Sequence, residues 1–220
     1  MRKSIYIFLF VLLSLFFSLS VGCKNQTSFL LDYVSELKRD VFTCDSEYNL
    51  TATYGYKETP YSNDAKVGDK EYALTFILKD QVESQVEYFL FIPEFNDCKL
   101  VFSKSKSGNL VATLEKEDFS SKTLDVKLCF GENIVDITLN SIIPKDALDI
   151  NEVLLKLQVE QENLVTHYVD GLNFNAEIYA RILVKNDKVY WYIAFGDGVN
   201  LKALLVDGIS GEVLAIREVI

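Results

Sequence analysis

Histidine is almost missing from this chain: His167 is the only one among 220 residues. A two-histidine metal site or a His-x-x-x-His helix cannot be built from it, and the four cysteines show no paired zinc-ribbon spacing, so common zinc chemistry is excluded. Thr166-His167-Tyr168 has no Gly-x-Ser-x-Gly neighbour with which to form a nucleophilic triad. No Gly-x-x-x-x-Gly-Lys or Gly-x-Gly-x-x-Gly run offers a phosphate cradle. Positive charge is scarce as well: 22 Lys plus Arg face 32 Asp plus Glu, a net charge of -10. Nucleic-acid affinity comes mainly from neutralising phosphates, so a nucleic-acid partner is not expected. With only 10 Gly and 3 Pro against 49% hydrophobic residues, the composition is that of an ordinary globular protein with a real core.

Charge is absent altogether from residues 5–21, an apolar run that follows the positive pair Arg2 and Lys3. This is the layout of a secretory signal, and it predicts a signal peptide over residues 1–22. The run ends in Leu19-Ser20-Val21-Gly22-Cys23, which resembles the lipobox of bacterial lipoproteins. The resemblance implies that Cys23 is diacylated and becomes the new amino terminus, placing the protein on the extracytoplasmic face of the cell membrane. Two other readings stay open. Ser20 and Gly22 also satisfy an ordinary small-x-small cleavage site, which would give a secreted protein, and an uncleaved anchor is the third. The run is short for a hydrocarbon core of about 30 Å. Loss of residues 1–22 removes Arg2 and Lys3 and no acid, so the mature chain carries a net charge of -12.

If Cys23 is lipidated, Cys44, Cys98 and Cys129 remain, an odd number that permits at most one disulfide. Three pairings are open, as is the alternative that none forms. Phase with neighbouring residues places Cys98 inside and Cys129 outside.

Apolar residues Phe29, Leu30, Tyr33, Val34, Leu37 and Val41 recur at spacings of three and four, which predicts a short amphipathic helix over 28–41. From Tyr48 the period becomes two, in Leu50, Ala52, Tyr54 and Tyr56, then Tyr72, Leu74, Phe76 and Leu78, then Val86, Tyr88, Leu90 and Ile92. Further strands are expected over 98–103, 109–114, 122–130 and 133–139, making an antiparallel β-sandwich or meander. The irregular stretch 57–70 reads as a long loop. Pro144 ends the pattern, and Asp149 with Glu152 three residues on predicts an N-cap and capping pair for a helix bearing Ile150, Val153, Leu154 and Leu157. Strands then recur over 175–184, 188–195, 201–207 and 212–219. The fold class expected is α+β, with an all-β domain in 23–143 and a helix packed on an antiparallel sheet in 144–220.

Within that last segment, the run from Leu205 through Val206-Asp207-Gly208-Ile209-Ser210-Gly211-Glu212-Val213 to Leu214 is similar to the closing hairpin of the PepSY family. Tyr190-Trp191-Tyr192-Ile193 resembles the strand before it. These are small envelope modules, and the resemblance implies a binding or inhibitory role without catalytic residues.

Acidic clusters at Glu115-Lys116-Glu117-Asp118, Glu160-Gln161-Glu162 and Gly196-Asp197-Gly198 lack the alternation of a calcium loop and read as solvated faces or hairpin tips. Aromatic residues are the surplus, with 12 Tyr and 15 Phe. Phe89 and Phe91, and Tyr190 and Tyr192, put rings on both faces of their strands, so either both faces are covered or one is a contact surface. The expectation is a PepSY-like, lipid-anchored cell-envelope protein with a non-enzymatic binding or regulatory role. Its site residue is Cys23, for lipidation; no catalytic, metal or cofactor-binding residue is assigned and no cofactor is expected. Its partners are the membrane, through the lipid, and a protein of the envelope. The alternatives are a secreted hydrolase using carboxylates and a structural accessory subunit of a membrane complex.

Overall fold

The computed structural model describes residues 26–59, 68–79, 86–96 and 98–219. Cys23 and the expected signal peptide over residues 1–22 lie outside them, as does the centre of the 57–70 loop.

Strands take up 57% of the described residues and helices 14%. The expected α+β class is therefore corrected: the chain is mostly β, built on one large sheet that curls into a nearly closed, barrel-like antiparallel body. In chain order the strands of that body are β1 (Val34–Thr43), β2 (Asn49–Thr59), β3 (Asp69–Lys79), β4 (Tyr88–Ile92), β5 (Cys98–Val101), β6 (Ser103–Lys104), β7 (Leu110–Glu115), β8 (Thr123–Phe130) and β9 (Asn133–Ser141). Around the body, β1, β2, β3 and β7 are successive neighbours, and β9, β8 and β4 follow from the other edge of β1. The chain 98–104 bridges the two ends: β5 pairs with β4, β6 pairs with β7, and Phe102 between them donates its N–H to the Tyr88 carbonyl at 3.0 Å. This ring replaces the expected sandwich or meander. Its interior is filled by side chains that alternate inward, among them Phe42, Leu50, Tyr54, Phe76, Leu90, Leu124 and Leu139.

The helix expected over 28–41 is corrected too. A 3-10 turn, Phe29–Tyr33, begins with Ser28 Oγ accepting the Leu30 N–H, and the rest is β1. The physical reason is visible in the register. β1 shifts against β12 between Val34 and Glu36, and against β2 between Lys38 and Asp40. Each shift inserts a residue into the strand and turns a spacing of two into three. Val34 and Leu37 thus face one side of a strand at an interval of three, the spacing a helix would give.

Beyond β9 come α1 (Ile150–Glu160), α2 (Glu162–His167) and a small hairpin of β10 (Val169–Asp170) and β11 (Asn173–Phe174). The remaining strands are β12 (Glu177–Lys185), β13 (Lys188–Gly196), β14 (Leu201–Asp207) and β15 (Val213–Val219). They do not form a sheet of their own. β12 runs parallel to the first half of β1, so β12 to β15 continue the same sheet as a four-stranded wing. α1 starts with the expected capping box: Asp149 accepts the Glu152 N–H at 2.8 Å and Glu152 accepts the Asp149 N–H at 2.9 Å. Its residues Val153, Leu154 and Leu157 are buried with Trp191, Ile193, Phe195 and Leu204 of the wing and with Leu30, Val34 and Leu37. Among the described residues, no helix is long and apolar enough to cross a membrane.

Candidate functional site

β1 decides where the molecule opens. Along one edge it pairs with β12 from Val34 to Lys38, then with β9 at Phe42 and Thr43. Two strands that share one neighbour at different heights must diverge from each other, and the sheet forks beside Arg39. A cleft of about 760 Å³ lies in that fork. Its apolar lining includes Leu37, Phe119, Ile143, Leu148, Ile182 and Trp191, and its polar groups include Arg39, Asp40, Lys122, Lys145, Asp149 and Asn151. The volume falls within the range of small-molecule sites, which combine an apolar wall with a few placed polar groups.

Four of the polar groups have structural partners. Asp40 is held between Arg39 and Lys122, at 3.5 Å from each. The Arg39 guanidinium also lies over the Tyr54 ring, 4.9 Å from its centroid, and donates to the Phe119 carbonyl at 3.4 Å. Asp149 is taken up by the cap of α1. Trp191, the single tryptophan of the chain, is buried and donates its ring N–H to the Leu148 carbonyl at 2.9 Å, fixing the wall at which α1 begins. Both carboxylates of the cleft therefore have structural partners. His167 is not in the cleft: it ends α2, with its ring edge-on to Tyr168 at 5.0 Å. An apolar wall with charged groups at its edge is an arrangement that can bind.

A second, smaller concavity of about 270 Å³ lies on the outer face of β1, β2, β3 and β7. Gly55 and Ala73 form its floor, and Lys38 with Glu36 at 3.1 Å and Lys57 with Glu71 at 3.8 Å are ion pairs at its rim.

The acidic clusters singled out in the sequence are not brought together. Asp197 accepts the N–H groups of Val199 and Asn200 at 2.9 and 2.7 Å, and these bonds hold its carboxyl below the usual carboxylate range. Glu117 uses its carbonyl to accept the Tyr54 hydroxyl, while Glu160 and Glu162 are exposed at the junction of α1 and α2. Among the described residues, no group of three or more His, Cys, Asp or Glu could hold a metal ion.

The three described cysteines are free thiols. The expected faces hold but the expected burial is reversed: Cys98 is half-buried and Cys129 is 2% exposed. Cys129 does point to the outer face, but there it sits between the cross-strand neighbours Phe89 and Ile134, and burial pushes its thiol pKa up. Of the two aromatic strands, β13 buries Trp191 and Ile193 against α1 and leaves Tyr190 and Tyr192 half-buried on the opposite face, where Arg181 lies over the Tyr192 ring at 5.5 Å.

The cleft is a site that sequence reading missed. Its lining comes from four separated stretches of chain, around residues 37–40, 119–122, 141–151 and 182–191, and no local pattern joins them. No family model, no curated protein and no solved structure matches this chain.

Proposed function

We propose that the chain is a cell-envelope lipoprotein, lipidated at Cys23, that acts as a non-enzymatic binding module with the fork cleft as its ligand seat. One observation carries the binding role: the larger of the two concavities joins an apolar wall to three cations, Arg39, Lys122 and Lys145, against two carboxylates, Asp40 shared by Arg39 and Lys122 and Asp149 in the cap of α1. The ligand this suits has an apolar body and an anionic end. The sequence of residues 1–23 supports the address.

Trp191 supplies the test, because the only indole of the chain forms part of the cleft wall. Titration with 1-anilinonaphthalene-8-sulfonate, an aromatic sulfonate, should give saturable energy transfer from Trp191 at one site per chain. Ala147→Phe, which fills the cleft from the segment before α1, should weaken binding at least tenfold without lowering the melting temperature. Equal binding by Ala147→Phe and wild type would remove the cleft from consideration.

A further inference from the structure

The chain enters the fold along α1. Ser28 donates its N–H to Asn151 Oδ1 at 2.8 Å, Asn151 donates its side-chain N–H to the Gln26 carbonyl at 3.0 Å, and the Ser28 hydroxyl bonds to Gln158. Residues 26–28 are thereby fastened to a helix that is itself packed in the core. Only Lys24 and Asn25 separate them from Cys23. At 3.3–3.6 Å per residue, the Cys23 backbone is at most roughly 11 Å from that of Gln26 and roughly 22 Å from that of Phe29. A lipid on Cys23 would therefore hold the bilayer against this side of the molecule.

The same side carries an apolar patch that nothing in the described chain covers. Leu172 occupies the two-residue turn of the β10–β11 hairpin beside Gly171, whose φ is 61°, and it is 101% exposed. Turn positions of this kind ordinarily carry Gly, Asn or Asp, which tolerate positive φ or bond their own backbone; an exposed leucine serves neither end. Val169, paired across the hairpin with Phe174, is 40% exposed, and Phe29 is 43% exposed with its ring edge-on to Phe174 at 5.9 Å. Phe174 is buried and in contact with Tyr33, so the hairpin has a rigid base under its apolar tip. The patch thus begins six residues after Cys23 and ends at a protruding leucine.

We propose that the β10–β11 hairpin is a membrane-contact element: Leu172, with Val169 and Phe29, enters the bilayer interface beside the lipid and fixes the orientation of the protein on the membrane. The proposal rests on the lipoprotein reading of Cys23. Two acyl chains already suffice for stable anchoring, so the hairpin supplies orientation rather than affinity. The short tether is what selects a bilayer as the occupant, since a protein partner would have to share the narrow space between the hairpin and the membrane.

The experiment uses the full lipidated chain, purified from membranes and reconstituted in phosphatidylcholine vesicles with brominated acyl chains. Neutral lipid is chosen because the exposed Asp32 and Asp170 flank the patch. Leu172→Trp reads the depth of the hairpin. Ile134→Trp is the control, on an exposed side chain at the start of β9, the end of that strand remote from the fork. Native Trp191, 2% exposed, gives a constant background. The expected result is a blue shift for Leu172→Trp and quenching at least twofold greater than for Ile134→Trp. Equal quenching of the two in protein that floats with the vesicles and whose intact mass shows a diacylated Cys23 would overturn the hairpin proposal and leave the lipoprotein reading standing. An intact mass without acyl chains would overturn the lipoprotein reading and the hairpin proposal with it.

Discussion

At the scale of single residues, two buried carboxylates among the described residues each leave one oxygen unsatisfied, Glu58 and Glu177. Glu177 opens β12 and is completely buried, with its Oε2 accepting the Tyr179 hydroxyl at 2.7 Å and its Oε1 without a hydrogen-bond partner among the described residues. A buried carboxylate oxygen with no donor loses its hydration and receives little in return. Glu177→Gln keeps an acceptor for Tyr179 and removes the charge; the variant should be more stable by about 1 kcal/mol, read as a higher urea midpoint with an unchanged slope. A lower midpoint would mean that the charge itself is stabilising. Nothing in the sequence singles out Glu177, because it sits beside Ile178 in an ordinary alternating strand. Gly55 is similarly unremarkable in sequence and demanding in structure. A Cβ there would lie 1.7 Å from the Leu37 carbonyl oxygen, because the register shift of β1 brings the two backbones together.

At the scale of elements, local signals that depend on neighbours in sequence were fully legible. The Asp149–Glu152 capping box and the turn after β14 are cases in point. Asp207 Oδ1 accepts the N–H groups of Ile209 and Ser210 at 3.0 and 2.8 Å, and Gly211 takes a φ of 78° to close the hairpin. Those two bonds hold the Asp207 carboxyl below its ordinary pKa. A depressed folded-state pKa contributes stability that is present above the unfolded value, about 3.9, and is lost as the pH falls through the lower folded value. Asp207→Ala should therefore be less stable than wild type by about 1 kcal/mol at pH 7. The gap should close below about pH 4, a convergence seen in urea midpoints measured down the acid limb. A gap independent of pH would assign the loss to the turn backbone alone. Element type failed at β1, where two inserted residues gave a strand the apolar spacing of a helix. Periodicity counts residues and does not register a bulge, which exists only because a partner strand fixes the register.

At the scale of the whole molecule, β1 joins everything. It pairs with β2, β9 and β12, and its side chains belong to both buried clusters, Phe42 to the one inside the barrel-like body and Val34 and Leu37 to the one under α1. Gly55→Ala, by forcing β1 away from β2, should cost roughly 3 kcal/mol or more and lower thermal unfolding of both clusters in a single transition. Trp191 fluorescence would report the cluster under α1, and far-ultraviolet circular dichroism the sheet as a whole. Two separated transitions would show that the bulged strand does not couple the clusters. The sequence alone determined the alternation of most strands, the cap of α1, the turn chemistry, the acidic charge and that a single histidine cannot build a two-histidine site, because each is set by residue identity or by neighbours a few positions away. Tertiary structure decided that β12 lies parallel to β1, that the sheet curls into a ring instead of a sandwich, and that a cleft opens where β9 and β12 part. These depend on pairings between residues far apart in the chain, such as Phe42 with Ser141 and Val34 with Ile178, for which strand periodicity carries no address: an alternating strand specifies which face is buried, but not which strand lies beside it.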